Sequence, residues 1–298
     1  MTQAIPRTII DTPSLGECPL CGLVELNHRF EKKSRQFWAC SDCGIEFQWP
    51  LPSPGELERY YDEQFADGMY SVFTSAAQMK TLTARQRLKE IGRWVPYSGR
   101  WLDVGCADGV FVREAAATGV AASGVELSSV GVEKAIQAGL DVRCGRLEEL
   151  PHTDTYDCIT AFDVLEHVLD PRGFILEIYK RLNPGGFAAL TLPDLGSIFS
   201  KLMGSRWWFY IPEEHLHYFN KTTVSALGHK AGLQTVHVGA TYKPLTYNYG
   251  LTQFIEFNPM IYRVMKLASA VLPRALKEWI VPLYIGEMKV IFRKPLSA

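Results

Sequence analysis

The chain has 298 residues, 47% of them apolar and 21% charged, with a formal net charge of -1. That length and balance suit one large globular domain with a small appendage, and a near-neutral charge excludes the net basic field that drives sequence-independent binding to nucleic-acid backbones. The opening MTQAIPRTIIDTPSLGE lacks the basic start and long apolar core of a secretion signal, and no stretch approaches the ~18 uninterrupted apolar residues of a membrane span, so a cytoplasmic protein is expected.

The first element is a cysteine ribbon. Cys18-Pro-Leu-Cys21 and Cys40-Ser-Asp-Cys43 are C-x2-C pairs separated by 18 residues, each followed by a glycine, Gly22 and Gly44. Four soft thiolates at this spacing fill a tetrahedral Zn2+ shell and leave no open position, so a structural zinc site is expected. An odd total of seven cysteines also suits metal binding better than disulfides. Between the pairs, HRFEKKSRQFW interleaves His28, Arg29, Lys32, Lys33 and Arg35 with Phe30, Phe37 and Trp38. It reads as the solvated tip of a two-strand ribbon, with a grip on RNA as the alternative.

The ribbon, residues 1–50, gives way to the proline-rich QWPLPSP, and residues 51–97 read as a linker with two cap helices: PGELERYYDEQF, and SAAQMKTLTARQRLKEIGRW with Met79, Leu82, Leu88 and Ile91 as an apolar stripe. From residue 98 onward, strands and helices alternate. Strands are expected at 100–105, 121–127, 141–145, 156–164 and 186–193, with helices capped by Ser128 or Ser129 and by Asp170 before Pro171. Such alternation makes an α/β, doubly wound sheet with ligands at the carboxyl ends of its strands. Two more strands, at 234–241 and 287–295, enclose an insert at about 243–286 that contains PMIYRVMKLASAVLP. Arg263 and Lys266 interrupt it, so a helical lid or packing helix is expected, with attachment to a membrane surface as the alternative.

The loop after the strand at 100–105 reads Asp103-Val104-Gly105-Cys106-Ala107-Asp108-Gly109. Glycine turns of this kind let a cofactor approach backbone N–H groups. Here two carboxylates would repel a pyrophosphate by on the order of 1 kcal/mol or more and welcome a cation. Glu126, 17 residues past Gly109, stands where an acid receives ribose hydroxyls. A cationic nucleoside is called for, and S-adenosylmethionine fits.

LDVGCADG, GVELS, FDVLEHVLDP and LNPGGFAALTLPD, in this order, resemble the class I S-adenosylmethionine-dependent methyltransferases from about Gly99 to Phe292. The resemblance implies a seven-strand Rossmann-like sheet whose last strand is antiparallel. It further implies cofactor contacts from Asp103, Gly105, Cys106, Ala107, Gly109, Glu126, Leu127, Leu147 and Asp163. Two residues depart from the family pattern: Ala107 replaces a glycine, and Arg146 stands where an acid would meet the adenine amino group. The ribbon and its linker are similar to those of bacterial methyltransferases of carbohydrate and natural-product pathways, including zinc-ribbon sugar C-methyltransferases. There the residues equivalent to Tyr60, Tyr61 and Tyr70 approach the active-site mouth; packing of an amphipathic helix is the other reading.

Methyl transfer from a sulfonium needs an aligned nucleophile and a proton acceptor, but no metal. Candidates are Glu166 and His167 after the strand at 156–164, and the segment IPEEHLHYF at 211–219. His167 is expected to support the helix start or to join the catalytic set. Within IPEEHLHYF, Glu214 can orient His215 as a base, and the sugar C-methyltransferases carry a similar Glu-His pair at the reaction centre. In the competing view one of His215 and His217 caps the helix NKTTVSALGHKAG. Zinc is not expected at this loop, because no third histidine or cysteine is near in sequence. The acceptor is expected to be a small sugar-like molecule, with RNA methylation or non-catalytic cofactor binding as alternatives.

Overall fold

The computed structural model describes residues 16–53, 55–57, 59, 74–212, 214–247, 251 and 259–296. Tyr60, Tyr61 and Tyr70 lie outside the described residues.

The ribbon begins with β1 (Leu26–Lys32) and β2 (Arg35–Cys40), paired antiparallel with Lys32 opposite Arg35. Lys33 and Ser34 between them both take positive φ, 50° and 62°, the backbone twist that a two-residue hairpin turn requires. β3 (Glu46–Trp49) adds to β2. The sheet does not stop there, as the sequence suggested. A fourth strand, contributed by residues 217 and 218 from far along the chain, pairs with β3 through Glu46↔Tyr218 and Phe47↔His217. So short a strand has no sequence signature of its own; the partner edge creates it.

The body runs α1 (Thr74–Ile91), β4 (Arg100–Val104), α2 (Val110–Ala116), β5 (Ala121–Glu126), α3 (Ser129–Gln137), β6 (Val142–Cys144), β7 (Tyr156–Phe162), α4 (Pro171–Arg181), β8 (Leu182–Pro193) and α5 (Ile198–Met203). The ribbon strand β9 (His217–Tyr218) follows, then α6 (Lys221–Lys230), β10 (Gln234–Leu245), α7 (Pro259–Val271), α8 (Arg274–Glu278) and β11 (Val281–Arg293). The seven-strand sheet has the order β10-β11-β8-β7-β4-β5-β6, with β11 antiparallel to both neighbours and β4 to β8 mutually parallel. This is the expected doubly wound α/β sheet.

Helix ends follow their capping residues. Ser128 accepts from Gly131 N, and Asp170 accepts from Arg172 N and Gly173 N ahead of Pro171. Asn220 caps α6 by accepting from Thr222 N and Thr223 N, so neither His215 nor His217 caps that helix. The sheet core buries Leu102, Ile159, Ala161, Leu190, Val290 and Phe292 under α4 and α6, and each full burial of a large aliphatic side chain contributes ~1.5–3 kcal/mol. On the other face Leu88 and Ile91 of α1, the second of the expected cap helices, pack with Trp101 and Phe162. Its remaining stripe residues are buried at Met79 and half-buried at Leu82.

Two boundaries differ from the sequence reading. β8 starts at Leu182, opposite Tyr156, because the chain leaves α4 directly into extended backbone before Gly185 and Gly186. The β10–β11 hairpin extends to Leu245↔Val281, past the expected ends at 241 and 287, which confines the insert to residues 246–280. Lys243, ion-paired to Glu287 inside the hairpin, gives the extension a polar anchor that hydropathy alone does not reveal.

Candidate active site

The four ribbon cysteines converge. Cys18 Sγ lies 3.5 Å from Cys43 Sγ and Cys21 Sγ 3.6 Å from Cys40 Sγ, and the four sulfurs all lie within 4.8 Å of one another as free thiols. Tetrahedral M–S bonds of about 2.3 Å place sulfurs about 3.8 Å apart, so the donor set fits a Zn2+ ion. The knuckles close through Gly22 N to Cys18 O and Gly44 N to Cys40 O, with both glycines at positive φ.

At the carboxyl end of β4 the chain turns sharply, with φ of 71° at Gly105, 50° at Ala107 and 75° at Gly109. A Cβ on Gly105 would come within 2.7 Å of Val164, so the loop lies close beneath the end of β7. Ala107 takes the left-handed conformation despite its Cβ, at a cost of roughly 1–2 kcal/mol. Glu126 offsets this: one carboxylate oxygen accepts from Ala107 N at 2.9 Å and the other from Ser128 N at 2.9 Å. The acid expected on the ribose thus also ties the loop to the end of β5, beside the exposed Leu127.

Several expected cofactor residues have other surroundings. The Cys106 side chain is buried with Val112, Val132 and Ala135, and Leu147 lies in the main core, so neither presents its side chain to the cleft. A small residue at 106 is packing under Gly124, where a Cβ would meet its sulfur at 2.5 Å. Asp103 is buried and accepts from Thr160 Oγ1 at 2.6 Å; burial pushes its pKa up to about 7. Asp108 is paired with Lys80 Nζ at 2.7 Å. The two-carboxylate repulsion expected at this turn is therefore reduced, because α1 brings a cation that lies 28 residues away in sequence.

Asp163, at the end of β7, sits at φ 57° and is held by Arg87 at 2.6 Å, Thr191 Oγ1 at 2.9 Å and Lys243 at 3.6 Å. Although burial acts upward, Lys243 and Arg87 hold its carboxyl well below the usual range. Its side chain is thus occupied within the protein. Lys243 also pairs with Glu287 at 2.5 Å, and the two carboxylates hold its ammonium charged against the opposing effect of burial. Arg87, Lys243 and Glu287 had no motif to announce them; a lysine and a glutamate inside apolar strands were the available signal.

Beyond Asp163 the strand end meets the loop at 204–219. The Glu166 carbonyl accepts from Leu216 N and His217 N, pinning the loop to the turn after β7. The His215 ring then stands at 90° to that of His167, with centroids 4.7 Å apart. His215 Nδ1 bonds the Phe209 carbonyl at 2.7 Å. A carbonyl only accepts, so Nδ1 carries the proton and Nε2 keeps a lone pair. The orienting part expected of Glu214 falls to Phe209, while Glu214 acts electrostatically on His167. Burial depresses both imidazoles, His215 well below its ordinary value, and keeps them neutral. Glu166 is buried, its Oε2 has no hydrogen-bond partner, and burial, reinforced by Asp163, raises its pKa well above normal. One atom from each of Glu166, His167 and His215 lies within 4.8 Å of the others, so the third ligand that the sequence did not offer this loop is supplied by the fold. The group can accept a proton at His215 or, with Glu166 ionised, hold a cation.

His217 and Tyr218 belong to packing. His217 is fully buried on β9, and the Tyr218 hydroxyl donates to the His215 carbonyl at 2.8 Å, within an aromatic cluster of Phe37, Trp207 and Tyr210.

A family described as a methyltransferase domain matches residues 75–238. A ubiquinone biosynthesis O-methyltransferase of Pseudomonas savastanoi pv. phaseolicola is 30% identical over 178 residues, covering 54% of this chain and 75% of the relative. Among solved structures, a magnesium protoporphyrin IX methyltransferase from Synechocystis PCC 6803 with bound SAH matches with a TM-score of 0.54 at 11% identity, over 81% of this chain and 100% of that one. A SAM-dependent methyltransferase from Thermotoga maritima matches with a TM-score of 0.50 at 19% identity, over 80% and 99%. These two likenesses carry the fold, and the family match spans more than half of the sequence. The chain belongs to the class I S-adenosylmethionine-dependent methyltransferases.

Proposed function

We propose that the protein methylates a hydroxyl or acidic carbon of a small polar acceptor, with a sugar or nucleotide-linked sugar as the preferred class. The observation that carries this is His215: its Nδ1 is fixed on the Phe209 carbonyl, which leaves the lone pair on Nε2, and its ring stands beside that of His167. Bound S-adenosylmethionine supplies an electrophilic methyl group. Asp103, Gly105, Ala107 and Gly109 would line its cradle, Glu126 would receive its ribose hydroxyls, and Leu127 would border the adenine. His215 accepts the acceptor's proton as the nucleophile attacks in line, and its depressed basicity keeps it unprotonated beforehand. Buried Glu166 and Glu287 and half-buried His167 and Lys243 suit an acceptor that makes many hydrogen bonds.

We further propose that the ribbon cysteines hold structural Zn2+ and that the ribbon serves the acceptor loop. Lys32 Nζ donates to the Tyr210 carbonyl and Arg35 to the Pro50 carbonyl, both at 2.8 Å. Cations engaged by the protein's own carbonyls favour this role over an RNA grip.

A second reading takes its support from the relatives named for ubiquinone biosynthesis, and makes the acceptor a phenolic hydroxyl. Label transfer from methyl-labelled S-adenosylmethionine to parallel panels of nucleotide sugars and polyhydroxylated phenols separates the two. On the accepted class, His215→Ala is expected to lower turnover ~100-fold and leave cofactor affinity within twofold; unchanged turnover removes His215 as the base.

A further inference from the structure

The reaction described above calls on no described residue of the insert within the β10–β11 hairpin. α7 turns Val264, Leu267 and Val271 outward at positions i, i+3 and i+7, leaving them 62%, 75% and 84% exposed. Trp279, just past α8, is 65% exposed. These side chains stand in water on one helix face and at the end of the helix that follows. The helix is tied to the start of the insert by the hydroxyl of Tyr247, two residues past β10, which donates to the Met265 carbonyl.

The charge of this segment differs from that of the molecule. Residues 259–283 carry Arg263, Lys266, Arg274 and Lys277 against a single acid, Glu278, in a chain of net charge -1. Arg263 and Lys266 are exposed on α7 itself. At 13 residues α7 is ~20 Å long, and no described helix is long and apolar enough to cross a membrane. An amphipathic helix with an aliphatic face, same-sign cations and a nearby tryptophan has the composition of a segment lying in the plane of a bilayer. Its aliphatic residues enter the acyl boundary, its cations meet anionic headgroups and its indole sits between.

We infer that α7 and α8 dock the enzyme on an anionic lipid surface. A second copy of the chain fits less well, because a two-fold contact sets this patch against itself and brings cations of one sign together. RNA would engage the cations but give the exposed aliphatic face no partner. The inference is independent of the acceptor, and its readout is binding.

The test is co-sedimentation of the full chain with vesicles of phosphatidylcholine alone and of phosphatidylcholine with phosphatidylglycerol. Wild type is expected to partition onto the anionic vesicles at ~0.1 M salt, with a roughly fivefold loss of partition for each cation removed in Arg263→Gln and Lys266→Gln. The double variant Leu267→Glu with Val271→Glu is expected to lose at least tenfold while keeping the wild-type circular dichroism spectrum and cofactor affinity. Absence of binding to anionic vesicles, or a double variant that binds like wild type, overturns the inference. So does a concentration-dependent dimer that this variant abolishes in the absence of vesicle binding, which would assign the face to a second copy.

Discussion

The Tyr210 hydroxyl donates to Glu46 Oε2 at 2.6 Å, joining the third ribbon strand to the loop that carries His215. Both residues are buried, and Glu46 also receives Arg29 at 3.1 Å. Phe30 and Phe37 of the ribbon pack edge-on against the Tyr210 ring, and Gln48 N bonds the Leu216 carbonyl. The ribbon therefore forms one wall of the segment that sets the His215 ring. Tyr210→Phe removes the hydroxyl and leaves a buried carboxylate with one partner fewer, at a cost of ~1–3 kcal/mol. Turnover is expected to fall severalfold with unchanged cofactor affinity. Calorimetry with S-adenosylhomocysteine alongside steady-state kinetics checks the split, and an equal loss in both would mean that the effect is global.

Metal removal extends the same coupling. With zinc bound by four thiolates, stripping the ion or making Cys40→Ser is expected to unfold the ribbon knuckles and free β3 from β9. The proposed cofactor cleft, at the ends of β4 and β5, is expected to keep its affinity while methyl transfer drops by tenfold or more. Stoichiometric zinc by atomic absorption, followed by activity before and after chelation, decides this. A chelated enzyme with full activity would confine the ribbon to a role away from the loop.

Much of this architecture was legible in the chain. Strands β4, β5 and β7 are short apolar runs ended by glycine or acid, and Ser128, Asp170 and Pro171 mark their helices by local hydrogen-bonding capacity. The two cysteine pairs are legible for the same reason, because their chemistry fixes spacing along the sequence. What escaped depends on contacts between distant segments. Pairing of residues 217 and 218 with β3, Lys80 neutralising Asp108, and Arg87 with Lys243 on Asp163 all join residues far apart in the chain. His215 was marked by its neighbour Glu214, yet its ring is oriented by a backbone carbonyl, which no residue type announces.

Glu126 gives a prediction for the cleft. Its two oxygens satisfy Ala107 N and Ser128 N, and the proposed cofactor role asks the same carboxylate to receive ribose hydroxyls. Glu126→Ala would orphan two backbone donors and remove the ribose acceptor together. Cofactor affinity is expected to fall 100-fold or more, with a lower melting temperature. Glu126→Gln, which keeps one acceptor oxygen, is expected to lose about tenfold; each tenfold step corresponds to about 1.4 kcal/mol. Affinity unchanged in both variants would take Glu126 out of the binding site.

Acid sensitivity provides the last test. His217 is fully buried on β9, and burial lowers its pKa to about 4, with the carbonyls of Leu169 and Val168 opposing the shift. An unfolded histidine titrates near 6.5. Between those values the unfolded chain binds a proton that the folded chain refuses, so stability rises with pH across this window and is lost as pH falls from about 6.5 towards 4. From pH 7.5 to pH 5 the loss assigned to this one ring is ~2 kcal/mol. Urea unfolding of wild type and His217→Gln at both pH values isolates it, because carboxylates and the other histidines titrate alike in the two proteins. The variant is expected to be less stable at pH 7.5, where it places an amide in a site shaped for imidazole, and to lose ~2 kcal/mol less than wild type on acidification. Parallel pH dependence in the two proteins would mean that the ring on β9 takes up its proton without leaving the fold.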